Sequence, residues 1–379
     1  MRTFISFLWI YMSLIGLRQM SAQQALTLAL QAKLDTLIAT HDMPGATLAV
    51  YFGQDRQISI AGGFADKEVQ QVMPKGGQML LGSTGKTFVA AVLLQLVEEE
   101  KIELDERLLH YFPEEEWMRQ LPEADKLSIR MLLTHTSGMP RYIFQQEFLS
   151  YITQHPLATF SPKDRLSYVL NKAPVHPAGE GWSYSDTNYL LLGMLIEKMS
   201  GQPFYDLLQT QILEPHHLSH TYPSTQPKLP GLVQGYIGSN NFFGLPQKVV
   251  SDGKYAMNPQ FEWTGGGLVS NVEDLSKWIF LLHSGQILDR HLHQEMLRVV
   301  DVKTGQAAET GYGFANFTWK NGEQISYGHS GMMPGFVTQI EYFPDQNYSM
   351  ALQINTDQGR KTSLHQMMIE LEAVVREYH

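Results

Sequence analysis

A chain of 379 residues, 43% hydrophobic and 17% charged, is a globular composition with ample material for a core, as one large domain or two smaller ones. Its formal charge of −10 argues against a nucleic-acid partner. Cysteine is absent, which excludes disulfides, thiolate-bound zinc, a thiol nucleophile and a lipidated bacterial amino terminus.

Met1-Arg2 is followed by an apolar run from Thr3 to Leu17, short for a bilayer span and suited to the core of a signal peptide. The sequence therefore predicts an export signal over residues 1–22, with cleavage after Ala22, although Met20 is large for its position and Arg18 sits close by. Removing the leader takes Arg2 and Arg18 and no acid, moving the charge from −10 to −12. After it, no stretch is long and apolar enough to span a membrane.

Gln24–His41 has the spacing of an amphipathic helix, with Leu26, Leu28, Leu30, Leu34 and Leu37 as its apolar positions. Gly45–Phe52 and Gln57–Gly62 form a hairpin pattern around Gly53-Gln54-Asp55. From Phe88 to Val97 the only polar residue is Gln95, and a helix apolar on nearly all faces is a buried central helix. Residues 102–263 turn helical and loop-rich, with a strong helix at Thr187–Met199 stopped by Ser200-Gly201. Gly265-Gly266-Gly267 comes next, and Asn271 is placed to cap a helix running to Ser284-Gly285. Tyr312–Trp319, Gln324–His329, Phe336–Phe343 and Tyr348–Asn355 have the pattern of consecutive antiparallel strands, and Thr362–Tyr378 closes as an amphipathic helix. This order predicts an α/β domain over residues 23–379: an antiparallel sheet flanked by helices, built from both chain ends, with a mostly helical region inserted at roughly 102–263.

Ser83 stands at the start of the apolar helix, where backbone N–H groups lack internal partners and the dipole favours negative charge. Lys86 lies three residues on and so shares its face. A hydroxyl beside an amine at a helix N-terminus can act as an activated nucleophile. The neighbouring Gly85-Lys86-Thr87 does not complete a phosphate-binding loop, because Leu80 stands where that motif needs glycine. The Ser-x-x-Lys pattern alone is equally that of an N-cap with a solvated lysine, and a second copy, Ser251-Asp252-Gly253-Lys254, sits in a turn-like context. Chemistry needs partners. Ser183-Tyr184-Ser185-Asp186, just before a helix, offers a second proton-transfer group in Tyr184. For a third element there are His283-Ser284-Gly285 at a helix end, Lys303-Thr304-Gly305 in an irregular stretch, and His329-Ser330-Gly331 between two strands. Only the last lies where a sheet edge can face a helix terminus.

Together, Ser83-Thr84-Gly85-Lys86, Tyr184-Ser185-Asp186 and His329-Ser330-Gly331 resemble the three motifs of the serine β-lactamase and penicillin-binding-protein superfamily. The tyrosine and the spacing are similar to the branch of class C β-lactamases, D-alanyl-D-alanine carboxypeptidases and related esterases, as are Leu132–Gly138 and Gly266–Ser270. The resemblance covers roughly residues 25–375 and implies an acyl-enzyme mechanism without metal or cofactor. Ser83 is the implied nucleophile, Lys86 and Tyr184 the implied proton carriers, and the N–H groups of Ser83 and Met332 the implied oxyanion hole. Ser330 and His329 would orient the substrate through a carboxylate.

Two departures matter. Histidine replaces the lysine usual in the class C third motif, which weakens the case for an efficient β-lactamase. Asp186 stands where asparagine is common, and an acid near Lys86 would raise the lysine pKa and shift proton acceptance toward Tyr184. Other tempting residues read as structure: His135 as a buried, hydrogen-bonded histidine, and His216, His217 and His220, which have no acidic neighbour at ligand spacing apart from Glu214, as structural rather than zinc ligands. The expected activity is thus that of an exported serine hydrolase on amide or ester bonds of a small molecule or a cell-wall-derived peptide, carboxypeptidase-like first. The alternatives are an esterase, a weak β-lactamase, or a sensor that acylates without turnover.

Overall fold

The computed structural model describes residues 22–238, 241–357 and 362–378; apart from Ala22, the expected leader lies outside the described residues. A helix over residues 22–40 (α1) leads into the hairpin β1 (Gly45–Tyr51) and β2 (Gln57–Asp66). A two-residue strand, β3 (Gln71–Val72), follows, and then the chain leaves the sheet. It returns through the short pieces β4 (Val299–Val300), β5 (Ala307–Ala308) and β6 (Gly311–Tyr312). The meander β7 (Phe317–Asn321), β8 (Gln324–Met333), β9 (Phe336–Phe343) and β10 (Tyr348–Ile354) completes the sheet. All ten strands pair antiparallel in the order β5-β4-β6-β7-β8-β9-β10-β1-β2-β3. The seam that joins the two chain ends is the β1–β10 pair, from Ala46↔Ile354 to Tyr51↔Ser349.

Both faces of the sheet are covered, so its central strands are buried at every position. Alternation along β1 divides the work: Ala46, Leu48 and Val50 enter one apolar cluster, Ala49 and Tyr51 the other. The first cluster is closed by α1, through Leu26, Leu30, Leu34 and Leu37, and by α5 (Leu364–Tyr378), through Met367, Met368, Leu371 and Val375. Each such leucine contributes roughly 1.5–3 kcal/mol by leaving water. Leu28 does not join them; it is 71% exposed, because two residues from Leu26 and Leu30 is the opposite side of a helix.

The second face carries α4 (Val272–His283), capped by Asn271 through its side-chain oxygen on the Asp274 N–H at 2.9 Å. Outside α4 lies α2 (Lys86–Glu98), buried at every position from Lys86 to Leu94. Trp278 of α4 stacks on Phe88 at 4.1 Å and donates to Thr87 Oγ1 at 2.8 Å, locking the two helices in register. Against the far side of α2 packs α3 (Asp186–Ser200), which ends in a left-handed Gly201. Among the described residues, none between Gln71–Val72 and Val299–Val300 belongs to the large sheet; that stretch is helices, turns and two small sheets.

Two strands differ from the pattern read in the sequence. Tyr312–Trp319 is interrupted: the Gly313 N–H turns back onto the Asn316 carbonyl at 2.7 Å, and Ala315 takes a φ of 50°. The strand expected to end at His329 runs on to Met333, because Ser330, Gly331 and Met332 pair with Gln339, Thr338 and Val337. The third motif therefore lies within a strand.

Candidate active site

Ser83 sits half-buried in a 3-10 turn, Gly82–Gly85, that opens α2. The turn is pinned at its start by the Leu81 N–H on the Leu268 carbonyl at 3.0 Å, and it is pressed against β8. That approach demands glycine on both sides. A Cβ on Gly82 would lie 2.3 Å from the Met332 oxygen, and one on Gly331 would lie 2.0 Å from the Leu81 oxygen. The backbone of Met332 thus runs directly beside the Ser83 turn.

Lys86 is fully buried, and its ammonium has three acceptors: Ser83 Oγ at 3.2 Å, Asp186 Oδ1 at 2.9 Å and the Gly265 carbonyl at 2.6 Å. These use all three of its hydrogens. Burial by itself favours the neutral amine, but Asp186 first, then Tyr184 and Glu262, hold the pKa above the ordinary lysine range. Asp186 responds in kind: burial opposes its ionisation, and Lys86 and then Arg141 hold it below the ordinary carboxylate range. Its second oxygen accepts from Arg141 Nε at 2.9 Å and Nη2 at 2.7 Å. At neutral pH this is a cation–anion–cation row with the serine hydroxyl at one end.

Tyr184 reaches the same point from the loop before α3. Its ring lies 5.0 Å from Lys86 Nζ, and among the described residues no hydrogen bond of satisfactory geometry reaches its buried hydroxyl. Burial raises the phenol pKa; Lys86 opposes that, and Ser83 and Lys86 both stand close enough to favour the phenolate. A buried hydroxyl without a partner is costly, and such groups concentrate where chemistry occurs. His135 supports the loop from beneath. Its Nδ1 accepts from the Ser185 N–H at 3.2 Å and from Asn188 Nδ2 at 2.9 Å, while its ring lies 4.1 Å from that of Tyr184. Burial and then Lys86 keep it well below the usual histidine range, so it is neutral.

His329 lies on β8, 1% exposed, and lines a hollow shared by Ser83, Tyr184 and Ser330. It was expected to help orient a substrate carboxylate, and its surroundings hold it as a neutral ring. Burial first, and Lys86 next, lower its pKa to about 3. Its Nδ1 donates to the Ser330 carbonyl at 2.6 Å and its Nε2 accepts from the Tyr312 hydroxyl at 3.0 Å, so both ring nitrogens are occupied. Met332 projects a side chain 55% exposed into the mouth of the cleft. Of the competing stretches, His283 ends a helix and the other two are surface turns. Lys303 is exposed, its N–H held by Asp301 Oδ1 at 3.0 Å, and Ser251 and Lys254 flank a tight turn with Asp252 and Gly253 at φ of 51° and 67°.

Arg141 and Glu262 were not anticipated from the sequence. Arg141 lies three residues past the Leu132–Gly138 stretch, and Glu262 is a single acid between Phe261 and Trp263. With Ser83, Asp186 and Met332 they line a second hollow walled by Ile143, Phe242 and Phe243. Glu262 is 9% exposed; burial, and Asp186 after it, push its pKa up to about 7 against Lys86, Arg141 and Arg165. Ser83 is the point where the two hollows meet. A hydroxyl at a helix N-terminus, with a buried ammonium and a phenol beside it, is equipped for acyl transfer.

The chain is 24% identical over 343 residues to Penicillin-binding protein 4* of Bacillus subtilis (strain 168), across 87% of this chain and 72% of that protein. It is 24% identical over 337 residues to Protein flp of Staphylococcus aureus (strain NCTC 8325 / PS 47), and there it spans 86% of itself but only 63% of its relative. The crystal structure of a D-stereospecific amidohydrolase from Streptomyces sp. matches with a TM-score of 0.78 and 27% identity, covering 91% of this chain and 98% of that one. A D-amino acid amidase from Ochrobactrum anthropi SV3, complexed with L-phenylalanine amide, matches in fold with a TM-score of 0.76 and 23% identity, covering 93% and 99%. The model of the family described as Beta-lactamase matches residues 30–372, and the chain belongs to that family, as a serine hydrolase of the fold shared by β-lactamases and penicillin-binding proteins.

Proposed function

We propose that the protein hydrolyses amides or esters of D-configured amino acids through an acyl-enzyme on Ser83, rather than trimming peptides at a free terminal carboxylate. The observation that carries this reading is the charge arrangement. A cation is the strongest partner for a substrate's free carboxylate, and His329 at the third motif is neutral with both nitrogens bonded. Arg141, which lines the second hollow and not the one around His329, donates to Asp186. An uncharged amide or ester makes no such demand. The D configuration is drawn from the likeness to the Streptomyces amidohydrolase.

In this reading the fraction of Tyr184 present as phenolate, which the Lys86 ammonium favours against the burial that raises the phenol pKa, takes the Ser83 Oγ proton as that oxygen attacks the carbonyl carbon. Lys86 itself does not serve as the base, since Asp186 keeps it protonated. The N–H groups of Ser83 and Met332 receive the charge that develops on the oxygen. The C–N or C–O bond then breaks, with Tyr184 giving its proton to the leaving amine or alcohol. Water repeats the sequence on the acyl-enzyme: Tyr184 takes its proton, the hydroxide adds, and Ser83 leaves reprotonated. Export belongs to the same proposal, on the strength of the run Thr3–Leu17; secreted protein beginning at Gln23 supports it, and an intact Met1 opposes it.

The test is a substrate panel: D- and L-amino acid amides, p-nitrophenyl esters, a peptide ending in D-Ala-D-Ala with its terminal amide counterpart, and a chromogenic cephalosporin. D-amides and esters should turn over, and the terminal amide should match or exceed the free acid. Strong preference for the free acid, or an adduct on a residue other than Ser83 by mass spectrometry, overturns the reading.

A further inference from the structure

The acyl-transfer steps above make no use of Glu262. Glu262 is nine-tenths buried and lines the hollow beside Ser83. Among the described residues its carboxyl oxygens form no hydrogen bond and no ion pair. Of the cations around it, Lys86 and Arg141 hold Asp186, while Arg165 sits over the Trp263 ring with Nη2 on the Gln260 carbonyl at 2.8 Å and its Nε and Nη1 without a hydrogen-bond partner among the described residues. Facing Glu262 across the hollow are the apolar walls of Ile143, Phe242 and Phe243. Asp357 at its edge is a second carboxylate, already held by the N–H groups of Gly238 and Gly335.

We propose that Glu262 binds the ammonium group of the substrate, so that this hollow takes the acyl half of an α-amino-acid amide or ester with a free amino group and an apolar side chain. The inference rests on the acyl-enzyme reading and names the substrate class of that site. An α-amino group is one bond from the carbon next to the carbonyl that Ser83 attacks, so the carboxyl and the nucleophile must share one cavity, as they do. The cavity, 120 Å³, is of the order that holds one ring, about 150 Å³ in a cavity that takes up benzene. The raised pKa of Glu262 is consistent with a carboxylate lacking its counterion, and an arriving ammonium supplies one. A site that pairs a buried polar group discriminates strongly against the analogue without the matching group, because the protein's own group is then left unpaired.

The experiment compares D-phenylalanine amide with 3-phenylpropanamide, which lacks only the amino group, and with N-acetyl-D-phenylalanine amide. Each is assayed with the wild type, Glu262→Gln and Glu262→Ala. The wild type should favour the free amine over the desamino compound by about 10²-fold or more in kcat/KM. Glu262→Gln should remove most of that preference, chiefly through KM, while the desamino compound changes less than about twofold. Labelling of Ser83 by a fluorophosphonate at an unchanged rate shows that each variant is folded. Equal losses for both substrates would mean that Glu262 only supports the structure, for instance by offsetting Arg165, and would overturn the proposal. So would a wild type indifferent to the amino group, or one that cleaves none of the three. If Ser83 is still labelled in that last case, the acyl-enzyme reading stands without this one; if it is not labelled, both fall.

Discussion

Replacing Asp186 with asparagine removes the carboxylate that Lys86 and Arg141 share while preserving the side chain's shape. Lys86 is 0% exposed and Asp186 4%, so water cannot take over the lost partner at the lysine; Arg141, at 32%, can turn to solvent. Removing one member of a buried ion pair costs about 3–5 kcal/mol, and nearly all of that should fall on Lys86. The cost has a pH signature. In the wild type the folded-state pKa of Lys86 lies above its ordinary 10.5, so its contribution is complete below that value and is lost only as pH rises through the folded pKa. In the variant, burial acts without Asp186 and the folded pKa drops below 10.5. The penalty is then full at neutral pH and shrinks by about 1.4 kcal/mol per pH unit between the variant's folded pKa and 10.5. Urea denaturation from pH 6 to 10 should show the gap between wild type and Asp186→Asn narrowing as pH rises. Activity should move with it, because a lysine that can lose its proton becomes available as a base for Ser83. A variant within about 0.5 kcal/mol of wild type at pH 7, or a gap constant with pH, would refute the description of Lys86 as a cation held by Asp186.

Ser83→Ala should lower turnover at least ~10³-fold in a protein that still folds, while Ser251→Ala and Lys303→Ala, both in exposed turns, should alter it by less than about twofold. Gly331→Ala places a methyl 2.0 Å from the Leu81 oxygen and 2.8 Å from the Thr84 nitrogen, so the nucleophile turn must shift; a loss of roughly 10²-fold in kcat/KM is expected, and unaltered kinetics would contradict the contact. His329 is a basic group whose folded pKa, about 3, lies below its unfolded value of 6.5, so the stability it contributes is complete above pH 6.5 and is lost as pH falls toward 3. His329→Gln should therefore flatten the acid limb of a stability–pH curve by about 1.4 kcal/mol per pH unit between pH 6 and 4, and an identical limb in both proteins would refute the buried neutral ring.

Local chemistry was legible in the sequence wherever a period or a cap decides the outcome. The four leucines of α1 that face the sheet, the all-round apolarity of α2, the Asn271 cap and the Gly201 stop are written in spacings of a few residues. So is the placing of Ser83 and Lys86 on one face, since three residues is close to a helical turn. Leu28 shows the limit of a tally of apolar residues taken without regard to angle. Where several Ser-x-x-Lys or His-Ser-Gly stretches compete, the surrounding pattern ranked them, since Ser251 and Lys303 lacked an element that could face a helix end. What the sequence could not determine is the charge state of the site. His329 is neutral and Lys86 charged because of burial and of partners dozens to hundreds of residues away, chiefly Asp186 for Lys86. Arg141 and Glu262 had no periodicity or motif to announce them, because an isolated ionisable residue acquires its meaning only from what packs around it. The same holds for Ser330-Gly331-Met332: their alternation is too weak to extend a strand, and it is pairing with Val337, Thr338 and Gln339 that brings them to the nucleophile. Short-range periodicity is a property of the chain; pKa, pairing and cavity are properties of neighbours, and the neighbours exist only in the folded protein.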